Sequence, residues 1–206
     1  MRNQLVLRAT LGILTVLFGI VRLYYMRRGK ESGEGISRGR EDRLRLALLT
    51  FCNSLGTIAG LVYVFAPQRM RLTALPMPVW SRWLGASLGI VDLLLFGWTH
   101  HALGRNWSAR LVIKDQHTLV TNGPYRWVRH PMYTAIFGSW LAFFLISANW
   151  IIGIAGLATS IFCAARVGDE EALMIEEFGD QYRAYMQRTG RFLPRIRAEA
   201  RLRGTP

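Results

Sequence analysis

The sequence is poor in charge, in acids and in cysteine. Asp and Glu number 13 against 26 Lys and Arg, and charged residues make up 19 % of the chain, where a soluble domain carries about 25 %. Two cysteines, Cys52 and Cys163, exclude a disulfide-built scaffold; both fall in apolar runs and read as small core residues. Metal-binding patterns are missing. His100 and His101 are adjacent and do not share a helix face, His117 and His130 are thirteen apart, and no CxxC or HExxH occurs. A P-loop and a GxGxxG turn are also lacking. Disorder is excluded because 51 % of the 206 residues are hydrophobic.

What remains is dominated by long uncharged runs. A helix needs about 20 apolar residues to cross a bilayer. The first candidate is Leu5 to Tyr25, with Arg8 and Arg22 near its ends, where they can snorkel. No small-residue cleavage site follows it, so it reads as a retained helix and not a signal peptide. Leu46 to Gln68 is uncharged, and Trp80 to Thr99 contains one acid, Asp92. Between Arg129 and Arg166 lie 36 residues without a formal charge, too many for one crossing and barely enough for two. Ser147-Ala148-Asn149 supplies turn chemistry near the middle. A tight helical hairpin is expected, Tyr133 to Ile146 and Trp150 to Ala165. The apolar spacing of Met174, Phe178, Tyr182 and Tyr185 continues the last helix as an amphipathic one over Val167 to Arg188, ended by Gly190 and Pro194. The fold class is therefore an all-α integral membrane protein of about five transmembrane helices.

Basic residues sort by side. Met26–Arg43 and His100–Arg129 are rich in them, and the tail after Arg166 holds seven more arginines. Pro67–Pro78 has only Arg69 and Arg71, and the hairpin turn has none. Alternate connections are thus basic, which puts the amino terminus outside and the carboxyl terminus in the cytoplasm. The net charge of +13 then reflects topology and contact with anionic lipid, not nucleic acid. A three-helix membrane region, 1–99, is expected to precede a functional region, 100–206.

The unusual polar residues lie at the cytoplasmic ends of the hairpin. His117 and His130 bracket the turn Asn122-Gly123-Pro124, and Pro131 suits the first turn of the fourth helix. That helix start offers free N–H groups to an anion. Tyr125, Tyr133 and Trp127 can stack on a flat ring or border the membrane; for Trp127 the border role is the simpler one. Arg166 and Glu170 are four apart and share a helix face. Either they form a surface ion pair, or they supply a cation for an acidic acceptor and an acid for cofactor hydroxyl or amino groups. Asp92, an acid at membrane depth, is expected to pair with Arg82, Arg22 or a helix polar group.

Taken together, His117-x-Leu-Val-x-x-Gly-Pro-Tyr-x-x-x-Arg-His-Pro-x-Tyr133, Glu170-Glu171, Phe178-Gly-x-x-Tyr182 and Arg191-Phe-x-Pro194 resemble the isoprenylcysteine carboxyl methyltransferase family. Phospholipid N-methyltransferases share the general pattern, and Leu103-Gly-Arg-Asn-Trp-Ser108 is similar to bacterial members. The resemblance covers roughly residues 100 to 196. It implies a methyltransferase using S-adenosylmethionine, bound in a pocket at the cytoplasmic end of the hairpin. It further implies cofactor contacts from His117, Thr118, Leu119, Val120, Tyr125, His130, Pro131, Met132, Tyr133 and Glu170. Arg166, with Arg129, would face the acceptor, and Arg166 and Glu170 would be the catalytic residues. Arg110 stands where eukaryotic members have a cofactor-contacting glutamine, and Gly168-Asp169 replaces part of a longer acidic run. The acceptor would be lipophilic, a carboxylate being favoured because it needs no base. Two rival readings are an NADPH-dependent sterol-type reductase and a lipid-binding protein without catalysis.

Overall fold

A computed structural model describes residues 2–30, 42–104 and 118–195. His117 and Arg110 lie outside the described residues, as does most of the 103–108 run. Among the described residues five α-helices carry the fold: α1 (Arg2–Lys30), α2 (Arg43–Phe65), α3 (Val79–Leu103), α4 (Pro131–Ser147) and α5 (Trp150–Arg188). Among the described residues there is no β-strand, only the isolated bridges Ala74–Asn149 and Val128–Gly190.

Local chemistry sets the helix ends. Asp42 caps α2, its carboxylate accepting from the Leu44 and Arg45 amides at 3.0 and 3.4 Å. Pro67 follows the last turn of α2 and starts a 3-10 turn over Pro67–Thr73. Pro131 opens α4 at the first position, where its missing N–H costs nothing. The hairpin turn expected at 147–149 is present: Ala148 takes a left-handed conformation (φ 49°), and the Asn149 side chain accepts from the Ile151 amide at 3.1 Å to start α5. The same side chain donates to Thr73 Oγ1 at 2.6 Å, fastening the turn to the 67–73 segment. α5 runs further than one membrane crossing and breaks once, at Gly179 (φ 51°). The uninterrupted amphipathic helix expected over 167–188 is thus corrected to two segments, because only glycine takes this φ without strain.

Helices α1, α2, α3 and α5 are long and apolar enough to cross a membrane. α4 has 17 residues and is about 25 Å long, short against a hydrocarbon core of about 30 Å. Large apolar side chains such as Phe51, Leu94 and Leu157 are exposed, which suits lipid contact and not water. α3 lies along α4, α2 along α5, and α1 bridges α2, α3 and α4.

The dry core is confined to one end of this bundle, the end holding the 147–149 turn. Leu7, Leu11 and Leu14 of α1 meet Ala59 and Tyr63 of α2, Ala86 of α3, and Ile146 and Ile152 of the hairpin. Two arginines at this end are spent on helix carbonyls. Arg82 is buried and donates to Ile146 O through Nε and Nη2 (2.9 and 2.8 Å), to Gln4 Oε1 (2.9 Å) and to the Tyr63 hydroxyl. Arg8 Nε donates to Val64 O at 3.1 Å.

The expected pairing of Asp92 with Arg82 or Arg22 is therefore wrong. Arg82 is engaged three turns away, and Arg22 faces the cavity described below. Asp92 is instead buried against Gly138 of α4, and its Oδ2 has no hydrogen-bond partner. A Cβ on Gly138 would lie 2.2 Å from Asp92 Oδ1. Gly138→Ala is expected to destabilise the protein by about 1–3 kcal/mol, the usual cost of overpacking. Asp92→Ala should restore most of that loss in the double variant. Melting midpoints of the four proteins in detergent check this, and additive effects would disprove the contact.

Candidate active site

At the opposite end of the bundle the interior is open. A cavity of about 630 Å³ lies between α1, α2, α4 and α5, with Phe96 and Leu103 of α3 also on its wall, and is bordered on one side by the 118–125 segment. Its polar end is assembled by the carboxyl-terminal residues folding back across the start of α4. The Arg129 and His130 amides donate to Gly190 O and Arg191 O at 2.8 and 3.0 Å, and the Gly190 amide donates to Trp127 O at 3.2 Å. The Tyr185 hydroxyl donates to Tyr125 O at 2.6 Å, and Thr134 Oγ1 donates to Phe192 O at 2.7 Å. Segments far apart in sequence are thus stitched together through their backbones.

Glu171 is the centre of this assembly. Its side chain is 5 % exposed. It accepts from Arg129 Nε at 3.0 Å, from Arg191 through Nε at 3.3 Å and through Nη2, and it lies 3.3 Å from His130 Nε2. Burial alone would raise its pKa; the hydrogen bonds from His130, Arg191 and Arg129 outweigh that and bring it down to about 2. Arg129 Nη1 also donates to Met186 O at 3.0 Å and to Thr189 O. Its guanidinium therefore braces the carboxyl-terminal turn as well as bordering the cavity.

Glu170, one residue earlier, points the other way. It lines the cavity, its Oε2 is buried without a hydrogen-bond partner, and His130 Nδ1 stands 3.8 Å from it. The His130 ring is therefore held between two carboxylates, one saturated with donors and one open to the cavity. Tyr125, buried beside it, has its hydroxyl pKa raised by desolvation and by the charge of Glu170. Burial raises Tyr182 and Tyr185 as well. All three stay protonated at neutral pH and act as neutral hydrogen-bonding groups, not as bases.

Of the residues expected at the site, Thr118, Leu119, Val120, Tyr125, His130, Met132, Tyr133 and Glu170 border this one cavity, with Arg129 and Arg166. Pro131 does not border it; it is fully buried as the first residue of α4. His117 lies outside the described residues. Sequence reasoning missed the contribution of the first two helices. Arg22 of α1 reaches the cavity beside Cys163 and Arg166, and Thr50, Asn53 and Thr57 of α2 border it too. Asp169 receives Arg45 Nη1 of α2 at 2.6 Å, tying α2 to α5 at the polar end. Among the described residues no cluster of His, Cys, Asp or Glu could hold a metal ion.

Comparisons with known proteins converge on the same region. Residues 86–176 match the model of the isoprenylcysteine carboxyl methyltransferase (ICMT) family. Over 84 residues the chain is 37 % identical to human protein-S-isoprenylcysteine O-methyltransferase, covering 40 % of this chain and 30 % of that protein. Over 116 residues it is 31 % identical to the nickel-cobalt-cadmium resistance protein NccN of Alcaligenes xylosoxydans xylosoxydans, covering 55 % of this chain and 53 % of that one. The match thus spans about a third of the length of the isoprenylcysteine methyltransferases and about half of the resistance protein. The solved structure of the eukaryotic intramembrane Ras methyltransferase ICMT superposes with a TM-score of 0.53 at 24 % identity, over 76 % of this chain and 54 % of that one. The membrane-helix architecture is thus shared, and residues 86–176 of this chain are similar to the isoprenylcysteine carboxyl methyltransferase family.

Proposed function

We propose that this protein is an S-adenosylmethionine-dependent methyltransferase that methylates a lipophilic acceptor at the membrane surface, with an isoprenylcysteine carboxylate as the favoured group. The observation that carries the reading is one cavity with two characters. It starts at His130, Tyr125 and Glu170 and continues between apolar membrane helices, so a polar donor and an apolar acceptor can meet inside it. The human relative carries the isoprenylcysteine name, and the matched segment includes α4 and the α5 residues Arg166 and Glu170 of the cavity.

The residues present suit the cofactor. Glu170 offers a buried carboxylate oxygen with no partner, fit to accept from ribose hydroxyls or an ammonium and to favour a cation nearby. Thr118, Leu119 and Val120 form an irregular segment along the cavity, and Tyr125 and Tyr133 add flat aromatic faces. His117 is proposed to join them. The bound cofactor supplies an electrophilic methyl group on a sulfonium. The protein's task is position and electrostatics. Arg166, buried at the point where α5 leaves the apolar region, is proposed to orient an acceptor carboxylate; Arg129 acts mainly by holding Glu171. A carboxylate is already a nucleophile at neutral pH, so no side chain has to remove a proton. The alternating basic segments support a site on the cytoplasmic side.

A melting experiment in detergent tests this. S-adenosylhomocysteine at about 100 times its Kd is expected to add about 2.7 kcal/mol of stability, and NADPH none. Stabilisation by NADPH alone would replace the methyltransferase with a reductase. Stabilisation by neither would favour a lipid-binding protein.

A further inference from the structure

We propose that Trp140 is the floor of the apolar part of the cavity and sets the length of the acceptor chain the protein accepts. The inference rests on the reading that this deep part receives the acceptor's hydrocarbon. From Met132 to Phe143 the cavity follows α4 for eleven residues, about 16 Å of helix, and Trp140 stands within its last turn. The indole there is 7 % exposed. It is clasped from two sides by glycines: a Cβ on Gly56 would lie 2.4 Å from Trp140 Cη2, and one on Gly156 would lie 2.8 Å from Trp140 Cβ. Helices α2 and α5 therefore close onto the ring, and it cannot slide aside without moving their backbones. Beyond it Phe143 packs edge to face on the indole with ring centroids 5.9 Å apart, and Ala142 and Ile146 are fully buried.

The wall above the floor suits a hydrocarbon although it contains hydroxyls. Thr57 donates to Asn53 O, Thr159 to Ala155 O and Ser139 to Ile136 O, each at 2.8 Å. Their protons are spent within their own helices, so these three hydroxyls offer the guest no donor. A chain that reaches the indole meets a rigid stop. Shortening that stop opens room for further methylenes, each worth about 0.8 kcal/mol on burial.

The test uses N-acetyl-S-geranyl-, S-farnesyl- and S-geranylgeranyl-cysteine with the full-length protein in lipid nanodiscs. Methyl transfer and the melting shift caused by each compound are both read. Trp140→Leu is expected to raise the geranylgeranyl-to-geranyl ratio of kcat/KM about tenfold, the discrimination typical of a hydrophobic pocket. Thr57→Phe, which fills the slot from the wall, is expected to lower it by a similar factor. Equal losses for all three compounds in either folded variant would make Trp140 a packing residue only and overturn the proposal. If Trp140→Leu does not fold, Thr57→Phe decides alone. Should the wild type transfer methyl to none of the three, the proposed reaction falls, and the floor is then judged on the melting shifts. Shifts that do not depend on chain length, or that are zero throughout, overturn it.

Discussion

Replacing Glu171 with alanine is expected to destabilise the folded protein by about 3–5 kcal/mol, the usual cost of removing one partner from a buried charge cluster. The reason is the imbalance left behind. Arg129 and Arg191 converge on this carboxylate, and without it two guanidinium groups face each other beside His130. Glu171→Gln keeps the shape and a single carbonyl oxygen but loses the charge, so it should recover only part of the loss. The damage should also spread locally. Arg129 holds the carbonyls of Met186 and Thr189, and the backbone of Gly190 and Arg191 is bonded to 127–130. Releasing Arg129 loosens the turn that covers the cavity. Amide hydrogen exchange in 185–193 should speed up before the rest of the chain melts. Unchanged stability in both variants would show that the cluster contributes nothing net.

The same carboxylate fixes the acid limb of the stability curve. Its folded pKa of about 2 lies below its ordinary value of 4.5. A depressed carboxylate contributes stability that is fully present above the unfolded pKa and is lost as pH falls through the folded one. At neutral pH this depression therefore favours the folded state. Wild type should therefore lose stability between about pH 4.5 and pH 2, and Glu171→Gln should be flatter across that window. Parallel acid limbs in the two proteins would contradict the assignment.

Why Glu171 was not singled out from sequence, while its neighbour Glu170 was, follows from the kind of signal each gives. Glu170 stands four residues after Arg166, a spacing that helical geometry makes meaningful. The partners of Glu171 are 20, 41 and 42 residues away, and no periodicity encodes a fold-back of that kind. Helix positions were legible for the opposite reason. Bilayer thickness fixes their length, and proline or asparagine marks their ends: the expected run from Leu46 to Gln68 is realised as Arg43–Phe65 because Pro67 stops it, and the expected Tyr133–Ile146 as Pro131–Ser147 because Pro131 starts it. The break at Gly179 was not legible, since a lone glycine in an amphipathic pattern is compatible with an unbroken helix. The walls given by α1 and α2 were invisible because threonines bonded to their own helices look the same whether they face lipid, a neighbour or a cavity. Arg22 is a further case. Near a helix end it reads as a snorkelling residue, and only the packing of α1 turns it toward Arg166.

Glu170→Gln is expected to weaken S-adenosylhomocysteine binding about tenfold to a hundredfold, the range that follows from losing a hydrogen bond to a charged group worth about 1.5–3 kcal/mol, while leaving the melting point of the ligand-free protein nearly unchanged. The two effects separate because the buried Oε2 of Glu170 makes no hydrogen bond within the protein, and its contact with His130 Nδ1 at 3.8 Å is looser than the bond a ligand hydroxyl or amino group would make. This is the reverse of Glu171, whose oxygens are saturated and whose loss acts first on stability. Arg166→Ala supplies the third corner of the comparison. It should change cofactor affinity much less than Glu170→Gln does, because its proposed partner is the acceptor carboxylate, and it should lower kcat/KM for the acceptor. Titration calorimetry on the three purified variants distinguishes these roles. If Glu170→Gln binds as tightly as wild type, the carboxylate does not face the cofactor, and the polar end of the cavity must be assigned to the acceptor instead.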